Sequence, residues 1–192
     1  MMLLRFVLLF TSSLCFFSCN SNSIAEKKQD EKKDTIPVVE LDECSKRFNE
    51  AKRLDNILLK ATVVNNDIAE QAIEAFHKFS SNCKTDTLAP VFLIKAGQVA
   101  QSIRKYTQAQ AFFTKCIDDF PKFKSRGAAF FLLAQLYDDA SILNNESEAR
   151  TIYHQIIREY PTSSYANDAK ACLQNLGKTD EELVKDFLNK NK

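Results

Sequence analysis

The chain has 192 residues, with 26 Lys plus Arg against 25 Asp plus Glu. A net charge of +1 supplies no basic field to hold nucleic acid. Three glycines, four prolines and no tryptophan count against phosphate-cradling loops and a turn-rich all-β fold.

Residues Met1–Phe17 place one cation, Arg5, ahead of a short apolar run interrupted by Thr11-Ser12-Ser13. That run falls short of the roughly 20 residues a spanning helix needs, and it predicts a secretion signal. Without this leader the charges balance at 25 against 25. Ser18-Cys19 closes the run in a way that resembles the lipobox of bacterial lipoproteins, with Phe16 where Leu is usual. The resemblance implies a signal peptide over 1–18 and a lipid on Cys19. Asn20, rather than Asp, after that cysteine implies an outer-membrane anchor with the domain facing the periplasm. Residues 20–37 are polar, with Lys and Asp/Glu interleaved from Glu26 to Asp34, so 19–40 reads as a disordered tether.

From Leu41 the pattern is helical. Leu41, Cys44, Phe48, Ala51, Leu54, Leu58 and Ala61 recur at steps of three and four, one face of an amphipathic helix. Asn65-Asn66 breaks it, and the pair Asp67 and Glu70 predicts a capped start for the second helix, which ends at Ser80-Ser81-Asn82. Thr87 is the expected cap of a third, with Pro90 in its first turn and Gly97 on its inner side. A fourth runs from Tyr106 to Phe120-Pro121, a fifth carries Ala134 and Tyr137, and a sixth runs from Ala149 to Tyr160-Pro161. Tyr165 to Leu176 reads as a seventh that Gly177 stops, and Thr179-x-x-Glu182 as the capping box of an eighth.

Ala109, Phe113, Cys116, Ile117, Phe120 and Pro121 return forty residues later as Ala149, Tyr153, Ile156, Ile157, Tyr160 and Pro161. With Gly97 and Ala134 in the preceding helices, this resembles the tetratricopeptide repeat, whose usual period is about 34 residues. The six extra residues fit before Gly127 and in the turn Ser141–Ser147. The small residues let paired helices approach, and Phe113 and Tyr153 are expected to fill the groove toward the neighbouring hairpin. The fold expected over 41–192 is therefore all-α, an antiparallel helix-hairpin right-handed solenoid of about eight helices. The segment Tyr160 to Lys178 is also similar to repeat lipoproteins of Gram-negative envelopes, including an outer-membrane assembly lipoprotein and the Tol–Pal coordinator.

Residues able to carry chemistry are few. His77 and His154 have no Cys or acid at metal-ligand spacing. Asp118-Asp119 and Asp138-Asp139 are adjacent pairs that point about 100° apart on a helix, so neither is a facing dyad. No nucleophile–base motif is present, and no catalytic residue, cofactor or metal is expected. Cys44 lies 21 residues before Asn65 and Cys83 18 after it, so antiparallel helices bring both to the open end of the first hairpin. A Cys44–Cys83 disulfide or two free thiols follow. Cys116 takes a small packing slot, and Cys172 has no evident mate.

The resemblance further implies that first helices line a concave face. Val91, Ile94, Gln98, Gln101 and Ser102, then Phe131, Gln135, Asp138 and Asp139, fall there. Chaperone-binding members use lysines and asparagines at such positions. Ile94 and Gln98 do not, and an apolar, weakly acidic groove suits an extended or helical peptide. Ile94 and Phe131 can instead pack on the next hairpin. The expected function is a non-enzymatic, lipid-anchored scaffold that binds envelope proteins, with no nucleic acid partner. The alternative is a glycan- or peptidoglycan-associated lipoprotein, favoured if Phe131 and Tyr137 are exposed together.

Overall fold

The computed structural model describes residues 42–190. The expected signal peptide 1–18, the linker 19–40 and Cys19 lie outside the described residues. Within them the chain forms eight α-helices and no strand: α1 (Glu43–Lys60), α2 (Asn66–Asn82), α3 (Ala89–Ser102), α4 (Tyr106–Asp119), α5 (Arg126–Asp138), α6 (Glu146–Glu159), α7 (Ser164–Asn175) and α8 (Asp180–Lys190).

Each helix from α1 to α6 packs on the next, and α5 also touches α7. The result is a tetratricopeptide-like row of stacked hairpins, α1–α2, α3–α4 and α5–α6, with α7 laid against the last. First helices start at Ala89, Arg126 and Ser164, 37 and then 38 residues apart. The excess over the usual period sits partly in the connection between α5 and α6. There Asn144 takes a left-handed φ of 46°, a conformation asparagine tolerates better than most residues. Asn145 accepts the Glu148 N–H at 3.2 Å and its own N–H donates to Tyr137 O at 2.7 Å, so the long turn is tied down at both ends.

Two helix starts differ from the sequence expectation. Asn65, not Asp67, caps α2 by accepting the Ile68 N–H at 3.1 Å, because helical geometry begins at Asn66, ahead of Asp67. Thr87 does not cap α3. Leu88 holds that position without a side-chain bond, and Asp86 Oδ1 accepts the Leu88 N–H at 2.8 Å instead. Pro90 does lie in the first turn. The Thr179–Glu182 box forms both its bonds, at 2.9 and 3.3 Å, and Gly177 follows α7 at φ +80°.

The core is continuous from α1 to α7. Phe48, Phe76, Phe79 and Phe92 form one aromatic cluster, with ring centroids 5.2–6.0 Å apart, that joins the first hairpin to α3. Ser80, fully buried, places its hydroxyl 2.7 Å from the Ala89 carbonyl and so links α2 to α3 through a satisfied polar contact. Arg126 Nε donates to Ile117 O at 2.8 Å and does the same between α4 and α5.

Phe113 and Tyr153 both pack within their own hairpins, and the Tyr153 hydroxyl also reaches Cys172 of α7. The Phe113 ring lies on Gly97 of its own hairpin, so close that a Cβ there would sit 2.8 Å from Cδ1. Tyr153 likewise turns to α5, 6.0 Å from the Phe131 ring and 3.0 Å from Asp138 Oδ2. Gly97 and the Phe113 ring interlock within one helix pair, while the Phe cluster joins the first hairpin to α3 and Phe131 against Tyr165 joins the third to α7.

α8 stands outside this packing. It packs closely on none of the other helices, and Val184, Phe187 and Leu188 are all more than half exposed.

Candidate functional site: the first-helix face

α3 and α5 present the positions assigned to a partner groove. Gln98 and Gln135 are exposed, while Val91, Ile94, Gln101, Phe131 and Asp138 are half-buried. The half-burial has identifiable causes. Ile94 packs on the core. Phe131 stacks 6.0 Å from Tyr153 and 5.9 Å from Tyr165, so its ring fills the joint between the third hairpin and α7. Asp138 accepts the Tyr153 hydroxyl, and Asp139 accepts from Ser141 at 2.6 Å. Tyr137 is half-buried and its hydroxyl accepts from Gln110 Nε2 at 2.8 Å. Gln98, Gln135, Ser102 and Asp139 remain as the exposed polar side chains of this set.

One contact on these first helices was missed from sequence. Lys95 of α3 reaches Asp55 of α1 at 2.6 Å, with Asp55 only 8% exposed. Asp55 stands one residue beyond Leu54 in the apolar stripe, a position where periodicity expects solvent, and the pairing has no local sequence signal. It fixes α1 beside α3, and Lys95 also lies 5.8 Å from the Phe92 ring centroid.

The remaining candidates hold their places by packing. The Cys44 and Cys83 sulfurs are bonded, with Cα atoms 5.7 Å apart, across the open end of the first hairpin. Cys116 is a free, fully buried thiol facing the Pro90 carbonyl at 3.6 Å, and burial pushes its pKa up to about 12. Cys172 is free and half-buried beside the Tyr153 hydroxyl, whose pKa burial raises first and Cys172 next. His77 stacks 5.3 Å from Phe112, and burial, then Lys115, lowers its pKa. His154 is exposed. Asp119 is no free helix-edge acid: Lys115 at 2.7 Å and Lys84 at 2.9 Å hold it below the usual carboxylate range. Among the described residues no cluster of His, Cys, Asp or Glu is arranged for a metal ion, and no helix is long and apolar enough to cross a membrane.

Comparison with known proteins agrees with this geometry over one repeat. No curated protein and no solved structure gives a significant match. Residues 128–163, most of α5, all of α6 and the turn that follows, match the tetratricopeptide repeat family.

Proposed function

We propose that the chain is a non-enzymatic scaffold that binds other proteins in the bacterial cell envelope, tethered to the outer membrane through lipid on Cys19 and facing the periplasm. The observation that carries this reading is the stack of hairpins, with one repeat matching a family whose domains generally bind proteins. Support for the anchor comes from sequence alone: the short apolar leader, Ser18-Cys19 and the mixed-charge run that follows. The disulfide suits an exported domain in an oxidising compartment.

The glycan-binding alternative asked for Phe131 and Tyr137 exposed together. Both are half-buried and engaged with other residues, so that alternative loses its sequence support.

Affinity capture from detergent-solubilised envelope, followed by mass spectrometry, tests the scaffold reading. Enrichment of a small set of proteins, reduced by the Gln98→Ala/Gln135→Ala variant, is expected. Recovery of muropeptides or glycans without proteins would overturn it. Globomycin tests the anchor separately, since an unchanged precursor rules out lipoprotein maturation.

A further inference from the structure

The connections that follow α2 and α4 lie side by side and enclose a cleft of about 530 Å³. Its size falls within the roughly 300–1,000 Å³ of ligand clefts. It shares no lining residue with the first-helix positions described above. The floor is apolar: Pro90 is buried, Phe120 and Phe123 are half-buried, and Pro121 adds the lip.

Charge around this floor is unevenly committed. Two acids line it. Asp86 Oδ1 accepts the Leu88 N–H, and Asp119 is held by Lys84 and Lys115. Asp118 is exposed and lines the depression on the other flank of α4. Lys122 and Lys124 also line the cleft, are exposed, and pair with no described residue. The rim therefore offers two free cations beside recessed aromatic and proline surface.

We propose that this cleft docks a partner protein through an extended segment carrying apolar side chains flanked by carboxylates. Apolar side chains would cover Phe120 and Phe123, and the flanking acids would meet Lys122 and Lys124. A membrane is the poorer occupant, because the apolar residues form a recessed floor rather than a projecting tip that could enter lipid. The inference rests on the scaffold reading and assigns it a second surface, apart from the first-helix face.

Fluorescence anisotropy with the full chain in mild detergent tests it, using two blocked fluorescein-labelled hexapeptides, Asp-Glu-Leu-Phe-Asp-Glu and Lys-Lys-Leu-Phe-Lys-Lys. The acidic peptide is expected to bind at least about tenfold more tightly, and less tightly as salt rises. Lys122→Glu/Lys124→Glu should weaken it about tenfold, and Lys122→Ala/Lys124→Ala about threefold, with unchanged circular dichroism. Equal binding of the two peptides, or no effect of either lysine variant, overturns the proposal. So does a dimer of the full chain that Lys122→Glu/Lys124→Glu splits, which would seat a second copy in the cleft. A gain in affinity on deleting residues 30–40 would seat the chain's own Ile36-Pro37-Val38-Val39 there, and equally overturns it. Envelope capture that depends on Gln98 and Gln135 but not on Lys122 and Lys124 leaves the scaffold reading standing and removes the cleft.

Discussion

Gly97 lies under the Phe113 ring, and the space a methyl group would need is already filled by aromatic carbon. Gly97→Ala gains helix propensity but overpacks the contact, so a net loss of about 1–3 kcal/mol is expected, read as a lower denaturant midpoint. Cys116 offers a second test at this scale. Its buried thiol with a pKa near 12 should resist iodoacetamide at pH 8 in the folded chain and react once denaturant unfolds it. Both positions were legible in the sequence as small packing slots. The direction of the neighbouring ring was not, because a repeat pattern gives spacing and leaves open which of two nearby helices a side chain turns toward. Asp55 was illegible for another reason: its partner Lys95 is 40 positions away, and charges at that separation leave no periodic trace.

Among the elements, the first hairpin is closed covalently at its mouth. Cys44 and Cys83 enclose a span of 39 positions, and loop-closure entropy gives such a bond about 3–4 kcal/mol. Cys44→Ser/Cys83→Ser should therefore melt at a markedly lower temperature than the oxidised chain, and reductant should lower the parent to the same value. The connections between hairpins also carry charge. Asp119 bridges Lys115 of its own helix and Lys84 of the preceding connection. Its folded pKa is depressed, so its contribution is present above the ordinary value near 3.8 and is lost as pH falls through the lower folded value. Asp119→Asn should cost up to about 1 kcal/mol at pH 7 and progressively less as pH falls below the ordinary value near 3.8, which thermal melts at a series of pH values compare. Helix number and order followed from periodicity and breaker residues. The starts of α2 and α3 shifted because Asn65 and Asp86 compete with Asp67 and Thr87 to hold the first turn of the same helix, and sequence alone does not rank them.

Across the whole molecule, stability is uneven. The core runs from α1 to α7, while α8 keeps more than half of Val184, Phe187 and Leu188 exposed. The bonds that start it, between Thr179 and Glu182 and between Lys178 and Asp186, are local. Truncation after Gly177 should shift the melting temperature by less than about 2 °C, and α8 amides should exchange faster than those of any other helix. In nearest-neighbour packing a helix that makes few contacts with its neighbour keeps little more than its own local stability.

The bond between Cys44 and Cys83 also sets the route of mechanical load. Tension on the chain upstream of Cys44 crosses the sulfurs directly into Lys84 and the connection ahead of α3, bypassing α1 and α2. Those two helices form a closed circuit that a pull cannot extend, so some 39 positions, on the order of 130 Å of extended polypeptide, stay coiled while the bond is intact. Pulled from that side, the array would begin to yield at its second layer rather than shed its first.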